Sequence, residues 1–215
     1  INDTIRKIKK NYNKTIVVEN IPQDPKIYSE IYQKGKTNFV FQFESGGMKS
    51  LLKKFKPQCL EDLILLNAVY RPGPMQFIDG ICEVKSGRKQ PEYICETAKD
   101  ALEGTYGFPV FQEQIMALCN KVAGFSLGEA DIIRRYMSKK KADKMAYYKP
   151  KFVGGLINSG AEPQKAEEFW EQLMNFAMYA FNKSHAAVYS VVSYYTAYLK
   201  YYYPAEYMSS VMNYT

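Results

Sequence analysis

Between positions 134 and 151 the chain carries Arg134, Arg135, Lys139, Lys140, Lys141, Lys144, Lys149 and Lys151 against one carboxylate, Asp143. Arginine forks hold phosphate through paired hydrogen bonds and lysines act as movable point charges, a combination suited to a triphosphate or a nucleic-acid backbone. A solvated helix interleaves charges of both signs, so this run points to an anion outside the segment, against the alternative of a merely solvent-facing basic surface. The pattern Ser126-x-x-Glu129 starts a helix near Leu127. Helical spacing then puts Arg134, Ser138 and Lys141 on one face with Arg135 beside them, and turns Ile132, Ile133 and Met137 toward a core.

A second group is Asn182, Lys183, Ser184 and His185, four different polar functions in one turn before an apolar helix. Asn182 or Ser184 can cap that helix, which accounts for both without further function. Lys183 and His185 are different, because cations at a positively polarised helix end ask for a negative partner. In YRPGPM (70–75), Tyr70 and Arg71 precede a Pro-Gly-Pro turn that ends a helix. Arg71 is there either a preorganised anion ligand or an exposed residue at a helix stop. Tyr194, Tyr195, Tyr198, Tyr201, Tyr202 and Tyr203 offer faces for base stacking, but beside Val188, Val191, Val192 and Leu199 they also read as core.

Several chemistries have no support. Two-metal phosphoryl transfer needs clustered carboxylates, yet there is no D-x-D; Glu129 and Asp131 point to different faces, and Glu61 and Asp62 are simply adjacent. Neither a Walker A sequence, nor G-x-G-x-x-G, nor a Ser/His/Asp set occurs. No residue of the chain is assigned a catalytic role or a metal. Cys59, Cys82, Cys95 and Cys119 are widely spaced, with His185 the only histidine, and read as reduced thiols of a cytosolic protein.

These groups need a scaffold. With 215 residues, 47% hydrophobic and 24% charged, the composition is that of a packed globular chain, and the net charge of +7 favours a polyanionic partner. No apolar run reaches transmembrane length. The start, Ile-Asn-Asp, reads as an excised segment. Helical patterns cover about 3–12, 26–34, the stripes Met48-Leu51-Leu52-Phe55 and Leu60-Leu63-Ile64-Ala68, 110–122, 127 onward, 163–174 and 186–202. Residues 15–21 and 39–43 read as strands. The expected fold is mainly α, a multi-helix domain over 45–215, with a small α/β remnant of a neighbouring domain in 1–44.

VFQFESGGMKSLL (40–52), YRPGPMQFID (70–79), TYGFPVFQEQIM (105–116), GFSLGEADIIRRYMSKKKADKM (124–145) and FNKSHAAVYSVVSYYTAYLKYYYPAEYM (181–208) together resemble the alpha subunit of bacterial DNA polymerase III, the C-family replicative polymerases. The match runs in family order from about residue 20, and is more similar to the main bacterial type than to the Gram-positive variant with an internal exonuclease. The resemblance implies a polymerase β-like palm whose three aspartates bind two Mg2+ upstream of residue 1, with 1–44 closing the palm and 45–215 forming the fingers. It implies that Arg134, Arg135, Lys139, Lys141, Asn182, Lys183, Ser184 and His185 face the triphosphate of the incoming dNTP. Gln42, Ser45, Tyr70 and Arg71 would line the nascent pair and template. Implied partners are template–primer DNA, dNTP, the palm and thumb, and replisome subunits, in the cytoplasm and without a membrane; the isolated segment is expected to be inactive and to bind no cofactor of its own. Where the family commonly has Gly-Tyr-Gly before FNKSH, this chain has Met178, Tyr179 and Ala180, a stiffer turn. The alternative reading is a freestanding basic helical module that binds nucleic acid.

Overall fold

The computed structural model describes residues 1–139 and 141–214, so Lys140 lies outside the described residues. It contains twelve α-helical segments and no named strand among those residues. The chain divides into two compact units, Ile1–Asn67 with Ala186–Thr215, and Ala68–His185. Among the described residues no helix is long and apolar enough to cross a membrane.

In the first unit, α1 (Asn2–Tyr12) buries Ile8 with Leu199 of α11 (Lys183–Tyr202) and Tyr207 of α12 (Pro204–Tyr214). Asn11 Nδ2 donates to Glu206 Oε1 at 2.9 Å and Lys7 Nζ to Ser209 Oγ at 3.0 Å, fixing α1 along α12. Both expected strands are absent. Residues 15–21 are β-prone, but an isolated run without a pairing neighbour has no ladder to join; it closes into a single 3-10 turn, Val18–Asn20. Residues 37–43 fold as two successive turns, Val40 N to Thr37 O at 3.0 Å and Phe43 N to Val40 O at 3.1 Å. Phe39 at φ 60° and Gln42 at φ 67° are left-handed, which no extended strand allows. Residues 1–44 therefore show helices and turns and no α/β character.

Asp24 caps α2 (Pro25–Ile27), which continues as one π-helical turn, Tyr28–Tyr32. In α3 (Gly46–Phe55) all four residues of the expected stripe are buried. α4 (Leu60–Val69) buries Leu63–Leu66, Ala68 and Val69, more than one stripe. Tyr194 belongs to the core: its hydroxyl accepts from Asp24 N at 2.6 Å and donates to Pro22 O at 3.0 Å.

The second unit packs α5 (Ile78–Lys85), α6 (Glu96–Leu102), α7 (Gln112–Ala123), α8 (Leu127–Ser138), α9 (Ala142–Asn158) and α10 (Pro163–Ala177). Ile115, Leu118, Ile133, Met137, Phe152, Leu156, Trp170 and Leu173 form its core. Ile132, expected with them, is 44% exposed. The capping box is present with both bonds, Glu129 N to Ser126 Oγ at 3.3 Å and Ser126 N to Glu129 Oε2 at 2.8 Å. Gly124 ends α7 at φ 63°. α9 runs through Pro150 and Gly154–Gly155 because tertiary packing outweighs their poor propensity. A Cβ on Gly155 would lie 2.4 Å from Val122 O, so α9 crosses the end of α7 with its backbone in contact.

Candidate functional site

Helix α11 starts at Lys183, three residues earlier than the apolar pattern suggests, so Lys183, Ser184 and His185 are its first turn. Between the two sequence candidates, Asn182 is the cap: its Oδ1 accepts from His185 N at 2.8 Å. The negative partner that this helix end calls for is supplied from within the chain. Glu113, in the first turn of α7, accepts from Asn182 Nδ2 at 3.1 Å and from Lys183 N at 3.2 and 3.1 Å to its two oxygens. Carboxylates are favoured at such positions by the unpaired amides and their aligned dipoles. Residues 182–185 are all exposed. Lys183 Nζ stands 5.7 Å from the Phe111 ring centroid and the His185 ring meets Phe181 edge-on at 5.4 Å.

The base of this turn is built on an isolated parallel bridge, Phe111 to Phe181, with Gln112 N to Phe181 O at 2.9 Å and Phe181 N to Val110 O at 3.1 Å. Arg71 joins it. The Arg71 guanidinium lies 4.2 Å from the Phe181 centroid, donates from Nε to Ala68 O at 2.8 Å and from Nη2 to Tyr179 O at 2.7 Å, and burial lowers its pKa. Arg71 thus locks the exit of α4 to the 179–181 turn, with two of its nitrogens committed to backbone carbonyls. Tyr70 is half-buried at that exit.

On α8 the two arginines differ. Arg134 donates from Nε (3.1 Å) and Nη2 (2.7 Å) to Asp131 Oδ1, and its side chain is only 17% exposed. Arg135 reaches Asp131 Oδ2 from Nε at 2.8 Å with 65% exposure, so it presents the freer guanidinium. These bonds, Arg134 first, hold the Asp131 carboxyl below its usual range. The predicted single face of Arg134, Ser138 and Lys141 does not form. α8 stops at Ser138, Lys139 is its C-cap, and Lys141 is the N-cap of α9, its N–H donating to Tyr136 O at 3.1 Å. Ser138 Oγ lies 3.0 Å from Arg134 O and 3.1 Å from Ala177 O, at the end of α10 just upstream of the 178–182 turn.

The charge excess read from residues 134–151 is smaller in space than in sequence. Asp131 serves both arginines, and Lys149 Nζ is 2.8 Å from both Glu167 and Glu171 of α10. Lys151 stacks on Phe125 at 4.1 Å. Among the described residues Lys139, Lys141 and Lys144 are exposed and form no ion pair. Gln42 and Ser45 belong to the first unit: Gln42 occupies its left-handed turn and Ser45 Oγ caps α3, accepting from Met48 N at 3.3 Å. A cavity of about 850 Å³ in the second unit, lined by Glu83, Tyr93, Phe108, Glu168 and Phe176 among others, contains none of the predicted site residues. Glu113 and Asp131 were missed as partners. Glu113 stood in the quoted FQEQIM motif, but nothing local links it to residues 69 positions away.

Residues 1–160 match the family model of the bacterial DNA polymerase III alpha subunit finger domain. The chain is 46% identical over 215 residues to DNA polymerase III subunit alpha of Campylobacter jejuni, covering 99% of this chain and 18% of that relative. It is 50% identical over 188 residues to the Treponema pallidum protein of the same name, covering 87% of this chain and 16% of that relative. With the Halalkalibacterium halodurans protein it shares 41% over 208 residues, covering 96% and 18%. The chain thus spans under a fifth of the length of these relatives.

Proposed function

Because the chain belongs to the bacterial DNA polymerase III alpha subunit family, we propose that it serves template-directed DNA synthesis by gripping the triphosphate of the incoming dNTP beside the template–primer. The observation that carries this reading is the first turn of α11. There Lys183 and His185 stand exposed at a helix amino end, on a base braced by Asn182, Glu113 and the Phe111–Phe181 bridge. Side chains that project from a backbone fixed in this way need little reorganisation as charge builds on a leaving pyrophosphate. Arg135, Lys139 and Lys141 supply further exposed charge; Arg134, half-buried, shares the Asp131 carboxylate with Arg135.

In this reading Gln42, Ser45 and Tyr70 line the template side, Arg71 sets the turn beneath Lys183, and the catalytic work belongs to the parent polymerase in the bacterial cytoplasm, together with its other domains and replisome subunits. The parent's Mg2+ supplies the Lewis acid. Among the described residues no group of three His, Cys, Asp or Glu side chains could hold a metal ion. The palm would close at residue 44, inside a finger-domain match that begins at residue 1.

The test is single-nucleotide incorporation by the full-length polymerase carrying Arg135→Ala or Lys183→Ala. Removal of one preorganised donor is expected to cost on the order of 3 kcal/mol of transition-state stabilisation. If turnover and nucleotide KM both stay within about twofold in the two variants, the triphosphate assignment is wrong.

A further inference from the structure

We infer that Glu113 is a positioning residue for the nucleotide-facing turn, a step that rests on the triphosphate reading above. Its carboxylate lies between the amino ends of two helices, in the first turn of α7 and against the first N–H of α11. The Lys183 N–H is one of the amides that a helix leaves without an intrahelical acceptor, and Glu113 supplies that acceptor. The same carboxylate decides how Asn182 is turned. With Nδ2 donating to Glu113 at 3.1 Å, Oδ1 is the end left to cap His185 N at 2.8 Å. Through Asn182 and Lys183, Glu113 fixes the backbone from which the Lys183 and His185 side chains project, without touching the nucleotide itself.

The neighbouring residues make α7 a firm base for this. Gln114 is buried; its Oε1 accepts from Phe111 N at 2.8 Å, and its Nε2 donates to Thr105 Oγ1 at 2.6 Å. A carboxylate on a soft loop would follow the turn; this one holds it.

Two effects of removing Glu113 oppose each other, and their signs separate them. Loss of the brace weakens the grip on the triphosphate and raises the nucleotide KM. Loss of a negative charge beside Lys183 and His185 would instead relieve repulsion of the triphosphate and lower it. Positioning predicts a rise.

The experiment measures dNTP KM and kcat for single-nucleotide incorporation by full-length polymerase carrying Glu113→Ala, Glu113→Gln or Lys183→Ala. Glu113→Ala is expected to raise KM about tenfold with kcat within about threefold. Glu113→Gln keeps one acceptor for Lys183 N and should fall between, at about threefold in KM. A KM unchanged or lowered in Glu113→Ala overturns the inference; if that variant does not fold, an unchanged or lowered KM in Glu113→Gln does so. Lys183→Ala separates the two levels. Should it raise KM or lower kcat while the Glu113 variants leave KM unchanged, only the role of Glu113 falls; should it and Arg135→Ala leave both KM and kcat within about twofold, the triphosphate reading falls with it.

Discussion

The Tyr179 ring lies directly over Gly73: a Cβ added to Gly73 would come within 2.5 Å of Tyr179 Cδ1. The backbone there is at φ +99°, a left-handed conformation that L side chains rarely adopt. Together with the Arg71 bond to Tyr179 O, this contact makes the Pro-Gly-Pro turn and the 179–181 turn one rigid piece. Gly73→Ala should therefore destabilise the chain by about 2 kcal/mol or more, from strain and overpacking combined. Chemical denaturation checks it, and a loss under about 0.5 kcal/mol would show that the two turns separate freely.

The adjacent glycines of α9 should behave in opposite ways. Nothing lies within 4 Å of a Cβ on Gly154, whereas one on Gly155 would meet Val122 O at 2.4 Å and Ala123 Cα at 2.8 Å. Alanine at 154 improves helix propensity and should stabilise by about 0.5–1 kcal/mol. Alanine at 155 must push α9 off the end of α7 and should cost about 1–3 kcal/mol. Thermal denaturation of the two single variants is the measurement. Shifts of the same sign would mean that α7 and α9 are not in backbone contact.

Local signals in the sequence were sufficient where they were complete within a few residues. Ser126 and Glu129 bond each other as their spacing demands, and Gly124 and Pro163 punctuate α7 and α10 where expected. Long-range partners were not legible. The run at 15–21 has strand-forming residues but no neighbour to pair with, and α9 persists through Pro150 because the unit packs around Phe152 and Leu156. The same limit governs the site. A count restricted to residues 134–151 leaves out Asp131, Glu167 and Glu171, and reads as unpaired three cations that the fold pairs. Glu113 could not be joined to Asn182 from sequence: the negative group expected at Lys183 and His185 was a bound anion, and the fold places a carboxylate of its own there.

The Asp131 carboxyl is held below its ordinary 3.8, chiefly by the Arg134 guanidinium and secondarily by Arg135. A carboxylate depressed in the folded chain contributes stability above its unfolded pKa, and that contribution disappears as pH falls through the folded value. The pair is therefore intact at neutral pH and is lost only below about pH 3.8. Arg134→Ala should return the Asp131 titration toward 3.8 without changing the charge of Asp131 at pH 7. Carbon NMR of the side-chain carboxyl reads this directly. If Asp131 titrates at or above 3.8 in the unaltered chain, Arg134 is not bound to it in solution.

Exposed lysines that lack a carboxylate partner should dominate any contact with DNA phosphates. Lys139 and Lys141 meet that description among the described residues, while Lys149 is held between Glu167 and Glu171. Each phosphate contact releases about one counterion, so a lysine that makes one contributes close to one unit to the slope of log affinity against log salt. Lys139→Ala and Lys141→Ala should each flatten that slope by about one, and Lys149→Ala should leave it unchanged. Fluorescence titration of primer–template DNA at three or so salt concentrations measures it. An effect of Lys149→Ala equal to the other two would mean that its ion pairs open freely, and that the basic run acts as the undivided surface its sequence suggests.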